Sequence, residues 1–398
     1  MKVLLVSGSV SSSGHGTVYL KNIHKNLEDI DTDVFVPNDA ILTDTNIDID
    51  RIHKSDLNFS KVSRQNYVKY GKFGMVKRGF DRVSNGIKFH KDLVKYLKTK
   101  NYDVVHILDS EYISYWYLAK KLKNKPIKLV YTLHASDFNL QSFSIGSVYK
   151  YLVKSLLKTS FSKTAHVVCH GEWIKDRLVL SFPKLQNKIS GIDYPSNAYS
   201  QIDKNKLKAE LGLPLDKTII SFLGMIRRDK KIEVAIQTIK QLPDNFHFVI
   251  AGSLSDYRLE EIESLIKEAK IEDRVTKTLK YLSLKEYEDN FKASDIFLST
   301  HSDSFPSASG PVSDARSYGV PVVVPPNGQL DMYVNINKVG QVAKSHNAKD
   351  FAEACLLVNS NIDQYKNNVI KVSNSLSWKS FVNRHISIYN EENNEQNL

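Results

Sequence analysis

Short apolar runs alternate with amphipathic stretches along most of this chain. Residues 2–7 form a continuous β-rich run, residues 8–16 are Gly/Ser-rich, and residues 17–27 set Tyr19, Leu20, Ile23 and Leu27 on one helical face. Residues 32–36 read as a second strand, whereas 38–66 are polar and carry no clear period. Strand-like runs return at 104–108, 128–132 and 166–169, with helical stretches at 112–122 and 149–161 between them. Strands that alternate with helices predict a parallel sheet covered on both faces.

The segment 193–206 is polar and holds Pro195, Asn197 and Ser200, which marks a domain boundary. The alternation then restarts. Strands are expected at 219–223, 246–251, near Val275, at 295–299 and at 320–324. Helices are expected at 232–242, 259–269, 284–293, 310–318 and 377–389. The predicted architecture is α/β, two doubly wound Rossmann-like halves covering residues 1–195 and 196–377, each with its own sheet. Such sheets bind ligands at the carboxyl ends of their strands, so two halves facing each other would make a ligand cleft.

Composition fits a folded enzyme-sized protein. The 398 residues exceed one ordinary core, and 41% hydrophobic with 25% charged residues excludes a disordered chain. Cys169 and Cys355 are far apart and outside any CxxC pair, which points away from disulfides and structural zinc and toward a reducing, cytoplasmic setting. The opening apolar run stops at Ser7-Gly8, short of a signal sequence, and no stretch is long enough to span a bilayer.

The net charge of +11 is concentrated in one stretch. Lys61, Arg64, Lys69, Lys72, Lys77, Arg78, Arg82, Lys88, Lys91, Lys95, Lys98 and Lys100 are interleaved with Tyr67, Tyr70, Phe73, Phe80 and Phe89. This is either a solvated helical face over its core aromatics or a surface for anionic lipid at the inner face of the membrane. No nucleic-acid motif accompanies the charge.

The chemistry-bearing residues follow predicted strands. Gly224 to Lys231 contains Arg227, Arg228, Lys230 and Lys231 at a strand end, a set suited to a diphosphate. Ser304 to Ala315 follows another strand. In it Ser309 is a candidate N-cap, Gly310 and Pro311 open a helix whose free N–H groups suit an anion, and Asp314 is placed in the first turn. Asp314 either accepts from ribose hydroxyls or stabilises the helix N-terminus. His134 ends a strand, and Gly14-His15-Gly16 precedes the first helix. No zinc spacing, GxSxG elbow or Walker lysine is present.

In this order the motifs resemble the retaining glycosyltransferases of family 4, which have the GT-B fold. The resemblance spans nearly the whole chain. It rests on Gly14-His15-Gly16, Thr132-Leu133-His134, Gly224-x-Ile226-Arg227 with Lys230, Asp314-Ala315 with Gly319 and Pro321, and Asn327-Gly328 as a Gly-rich loop. It implies a hexosyltransferase that takes a nucleotide-sugar donor (a UDP- or GDP-sugar) and a glycan, lipid-linked or protein acceptor, without a metal cofactor. It implies that Arg227 and Lys230 neutralise the departing diphosphate, Asp314 holds the ribose and His134 meets the donor. Gly16 and Gly328 would admit backbone to the donor, and the segment from Trp378 to the C-terminus (378–398) would complete the first domain.

The family carries a pair of glutamates. Here the second is Asp314, Pro306 stands where the first would be, and Asp303 is the substitute across a longer loop. Met225 replaces the usual arginine after Gly224. These departures leave a second expectation, a catalytically silent GT-B subunit that binds a partner transferase or an acceptor. A sugar-nucleotide epimerase would need an acid/base pair that the sequence does not display.

Overall fold

A computed structural model of the chain describes residues 1–8, 15–42, 47–58, 67, 71–134, 145–197, 199–303, 305, 309–326 and 328–391. Gly14, Lys61, Arg64, Lys69, Tyr70, Ser304, Pro306 and Asn327, named above, lie outside the described residues. The backbone divides into two compact units, Met1–Asp193 with Trp378–Leu398, and Tyr194–Ser377.

The first unit contains β1 (Lys2–Ser7), α1 (His15–Lys25), β2 (Asp31–Val36), β3 (Ile52–Lys54), α2 (Gly71–Tyr96), β4 (Val104–Asp109), α3 (Tyr112–Leu122), β5 (Lys128–Leu133), α4 (Ile145–Phe161), β6 (His166–Cys169), α5 (Glu172–Ser181) and β7 (Ile189–Gly191). Among the described residues the strands form one parallel sheet ordered β3-β2-β1-β4-β5-β6-β7. Val3 to Val6 are fully buried, as expected of a strand covered on both faces. Helix α2 packs on α3 and α3 on α4 over one side of the sheet. Glu111 caps α3, accepting from Ile113 N at 3.1 Å and Ser114 N at 2.8 Å.

The second unit contains α6 (Lys204–Glu210), β8 (Thr218–Leu223), α7 (Ile232–Gln241), β9 (Phe246–Ala251), α8 (Leu259–Ala269), β10 (Val275–Thr278), α9 (Leu284–Ala293), β11 (Ile296–Leu298), α10 (Gly310–Ser317), β12 (Val322–Val324), α11 (Gly328–Asn337), β13 (Gly340–Val342), α12 (Ala348–Ser360) and α13 (Ile362–Ser375). Its parallel sheet is ordered β10-β9-β8-β11-β12-β13 among the described residues. Ile232, Ala235, Ile236 and Ile239 form the buried stripe of α7. A reciprocal cap between Ser283 and Glu286 starts α9.

The last helix, α14 (Trp378–Asn390), belongs to the first unit. It buries Trp378, Phe381, Val382, His385, Ile388 and Tyr389, each apolar side chain contributing about 2 kcal/mol. Trp378 and Phe381 meet Tyr19 edge-on at 5.8 and 5.9 Å, and Tyr389 Oη lies 2.6 Å from His106 Nδ1. Burial pushes His385 down to about 4 and His106 well below its ordinary value, so both rings pack neutral.

The structure corrects several expectations. β3, α5, β7, α6, β13, α12 and α13 had no counterpart in the sequence reading. The glycines taken as a loop at Gly328 instead open α11, and Gly16 lies within the first turn of α1.

Candidate functional site

The order of the second sheet reverses direction between β8 and β11, where a doubly wound sheet opens for a ligand. The loops leaving these two strands carry most of the candidate residues. Gly224 follows β8 with φ +87°, a left-handed conformation that favours glycine. A Cβ there would lie 3.5 Å from Lys230 Nζ, 3.5 Å from Pro311 Cγ and 4.0 Å from Tyr287 Cε2. The Gly224 turn, Lys230 and the N-terminus of α10 therefore converge at one point.

Lys230 is only 7% exposed. Its ammonium donates to Leu223 O at 3.3 Å, and among the described residues no carboxylate lies within ion-pair distance of it. Burial, with Arg227 nearby, pushes it down to about 8. Its backbone is pinned: Thr300 Oγ1 donates to Lys230 O at 2.7 Å and Lys231 O at 3.0 Å, and Ser302 N donates to Asp229 O at 2.8 Å. A buried ammonium that has a carbonyl and the face of the Phe222 ring at 5.8 Å, but no carboxylate among the described residues, is electrostatically incomplete, and an anion would complete it.

The other basic residues of this loop are not equivalent to Lys230. Arg227 forms a two-pronged pair with Asp229, at 3.0 and 2.9 Å. Arg228 turns away to Glu261 and stacks on Tyr257 at 3.9 Å. Lys231 pairs with Glu233 at 3.7 Å. The four-residue diphosphate set read from sequence thus contracts to Lys230, with Arg227 beside it.

Ser309 occupies the N-cap position of α10, but its side chain caps nothing. Its Oγ is buried and, among the described residues, has no hydrogen-bond partner. With the backbone N–H groups from Gly310 onward, it gives the helix start a spare donor for an anion. Asp314 is the fifth residue of α10, so its placement in the first turn is corrected and the helix-dipole explanation weakens. Its Oδ2 accepts from Tyr287 Oη at 2.8 Å. Asp303 is not gathered into this cluster: its side chain is 84% exposed and pairs with His346 at 2.8 Å. Gly328, with φ +54°, opens α11.

In the first unit His134 is exposed but held at both ring nitrogens. Nε2 donates to Leu108 O at 2.8 Å, and Nδ1 lies 3.1 Å from His170 Nε2. Tyr19 meets both rings edge-on at 5.6 Å. The carbonyl can only accept, so the Nε2 position carries the proton.

Sequence reasoning missed His301, Thr300, Tyr287 and Gly252. His301 follows β11, accepts from or donates to Ser299 Oγ at 2.7 Å, and is pushed down to about 3 by burial and by Lys230 and Arg227. A neutral ring there adds no charge against Lys230. Its sequence signal, a histidine two residues from a serine after a strand, is weak alone. Tyr287 sits on a helix that looked merely amphipathic.

Two parallel-sheet units, with an anion-ready corner at the switch point of the second, define the class of GT-B glycosyltransferases. Residues 203–373 match the model of glycosyl transferases group 1, and residues 29–190 match that of glycosyltransferase family 4. The chain belongs to glycosyltransferase family 4. It is 27% identical over 206 residues to a D-inositol 3-phosphate glycosyltransferase of Mycobacteroides abscessus, covering 50% of this chain and 44% of that protein. A Mycobacterium leprae protein of the same name is 31% identical over 38% of this chain and 35% of its own length. The matches thus span less than half the length of these curated relatives.

Sucrose-phosphate synthase of Thermosynechococcus elongatus superposes with a TM-score of 0.74 at 17% identity, covering 98% of both chains. HepE of Anabaena in complex with UDP superposes at 0.71 with 14% identity, over 97% of this chain and 98% of that one. These likenesses show the fold.

Proposed function

We propose that the chain transfers a sugar from a UDP- or GDP-sugar to a glycan, lipid-linked or protein acceptor, with retention at the anomeric carbon, in the synthesis of a cell-surface polysaccharide or glycoconjugate. The observation that carries this reading is the buried Lys230 ammonium, lacking a carboxylate among the described residues and facing the start of α10. A nucleoside diphosphate supplies the missing negative charge. HepE, of similar fold, was solved with UDP and with UDP-glucose, which supports a donor of that chemistry.

In this proposal the diphosphate lies against Lys230, Ser309 Oγ and the Gly310 N–H. Gly224 leaves room for it, because a Cβ there would occupy the space between Lys230 and Pro311, in contact with both at 3.5 Å. Arg227 turns from Asp229 to a phosphate oxygen. Asp314, oriented by Tyr287, accepts from the ribose hydroxyls. As the bond from the anomeric carbon to the phosphate oxygen breaks, negative charge grows on the diphosphate, and Lys230 and Arg227 stabilise it most at that moment. The acceptor oxygen bonds to the anomeric carbon on the same face, and its proton passes to the departing phosphate. His134, Gly16 and Gly328 are assigned to the donor by the family resemblance, and Asp303 stays with His346 outside the chemistry. A metal is not needed, since the lysine and helix N-terminus provide the positive charge.

The test is a screen of UDP-, GDP-, ADP- and CMP-sugars, reading thermal shift and slow hydrolysis without acceptor. A true donor at about 100 times its Kd should stabilise the protein by about 2.7 kcal/mol. One donor class is expected to stabilise the chain and to be hydrolysed. A chain that binds none of the four classes would be the silent subunit, and this reading would be wrong.

A further inference from the structure

Helix α2 divides into two opposed faces. Gly86, Phe89, His90, Leu93 and Leu97, just past its end, are buried toward the sheet. On the opposite side, Phe73, Val76, Lys77, Phe80, Ser84, Lys88, Lys91 and Lys95 are all exposed. These positions recur at three- and four-residue spacing and so form one stripe, about 33 Å long. Phe73 is 80% exposed, Phe80 74% and Val76 51%. Two phenylalanines left in water about two turns apart on one face are unusual for a helix whose other face already supplies the core.

The stripe is graded. Its N-terminal half is apolar around Lys77, and its C-terminal half carries Lys88, Lys91 and Lys95. The acids of this helix flank the stripe, each four residues after one of its lysines, and are occupied: Asp81 accepts from Tyr67 Oη at 2.8 Å, and Asp92 from Asp56 N at 3.2 Å. The neighbouring helices continue the pattern. On α3, Lys120 lies over the Trp116 ring at 5.3 Å and Lys121 over Tyr117 at 5.8 Å. On α4, Tyr151 is 67% and Leu152 47% exposed. Among the described residues no helix is long and apolar enough to cross a membrane.

We infer that the outer face of α2, extended by α3 and α4, docks in the plane of an anionic lipid bilayer. Phe73, Val76 and Phe80 enter the boundary between head groups and acyl chains, and Lys77, Lys88, Lys91 and Lys95 meet the lipid phosphates. Exposed aromatics beside lysines suit this interface because each side chain has an apolar body for the acyl region or a charge for the head groups. An acidic protein surface would match the lysines but offers no reason for two solvent-exposed phenylalanines.

The experiment is co-sedimentation of the full chain with vesicles of phosphatidylcholine containing phosphatidylglycerol, and with vesicles of phosphatidylcholine alone, at low and high salt. Binding is expected only to the anionic vesicles and should fall with salt. The triple variant Lys88→Gln, Lys91→Gln and Lys95→Gln should lower the partition coefficient about a hundredfold, at about fivefold per lysine. Phe73→Ser with Phe80→Ser should lower it about tenfold while leaving the salt dependence in place. These sites are exposed, so melting curves should match the wild type. The same charge change on the second unit, Lys267→Gln, Lys349→Gln and Lys371→Gln, should leave the partitioning unchanged. Equal binding to both vesicle types, equal loss in the control triple, or binding to an oligonucleotide in place of vesicles would each overturn the inference.

Discussion

Lys230→Met is expected to make the protein more stable and unable to transfer sugar. In the unliganded chain the lysine is buried at 7% exposure and its ammonium is pushed from 10.5 to about 8. That displacement corresponds to about 3 kcal/mol spent holding the charge out of water. Methionine keeps the length of the side chain and removes the charge. It also forfeits the bond to Leu223 O, which offsets about 1 kcal/mol, so the net gain is about 2 kcal/mol. Transfer should fall by at least a hundredfold, because the charge growing on the diphosphate loses its buried partner (the size seen when one preorganised donor is removed). Thermal unfolding and a radiolabelled-donor assay measure the two effects separately. A variant that is both less stable and active would mean that Lys230 is a structural cation.

Gly252→Ala should strongly destabilise the second unit. Gly252 follows β9 with φ +145°, and a Cβ there would lie 2.1 Å from Gly224 O and 2.6 Å from Gly224 C. The clash is with backbone and cannot be relieved by a side-chain rotation. The same stretch straps the Gly224 turn in place through Gly224 N to Ala251 O at 2.9 Å and Ile226 N to Ser253 O at 2.8 Å. The substitution should cost about 4 kcal/mol and displace the turn that sets the depth of Lys230. Gly212→Ala is the matched comparison. Gly212 also has positive φ, +66°, but nothing stands within 4 Å of its Cβ. It should cost about 1 kcal/mol, from backbone conformation alone. Urea unfolding of the two variants compares them directly, and equal costs would show that the close approach at Gly252 relaxes freely.

The alternation of strands and helices was legible because the central strands are buried on both faces and read as unbroken apolar runs. β1, β6, β9 and α9 fall where the periodicity placed them. β3, β7 and β13 are three residues each, too short to show any period. α12 was readable in principle: Asn347 caps it through Asp350 N, and Phe351, Cys355 and Val358 keep helical spacing.

At the site, the loop with Arg227 and Lys230 was legible as a basic strand end, but its internal division was not. In sequence, Arg227-Arg228-Asp229-Lys230-Lys231 looks uniformly solvated. Burial of Lys230 arises from a single helical turn, Arg228–Lys230, and from Thr300, seventy residues further on, holding its carbonyl. The helix starts at Gly310 as its sequence indicates, and Asp314, its fifth residue, falls just past the first turn in which it was placed. The outward aim of Asp303 depends on His346, a contact no local pattern encodes.

The central claim is that a nucleoside diphosphate binds against the Lys230 ammonium, and calorimetric titration of UDP and of GDP across pH tests it most directly. The unliganded lysine loses its proton near pH 8, below its ordinary value, and a bound diphosphate favours the protonated form. Binding should therefore take up a proton above about pH 8. Affinity for one of the two nucleotides should fall about tenfold between about pH 7 and about pH 9. In Lys230→Met the remaining affinity should be weak and flat over that range. Equal affinity in wild type and variant, or no binding of either nucleotide at any pH, would contradict the account.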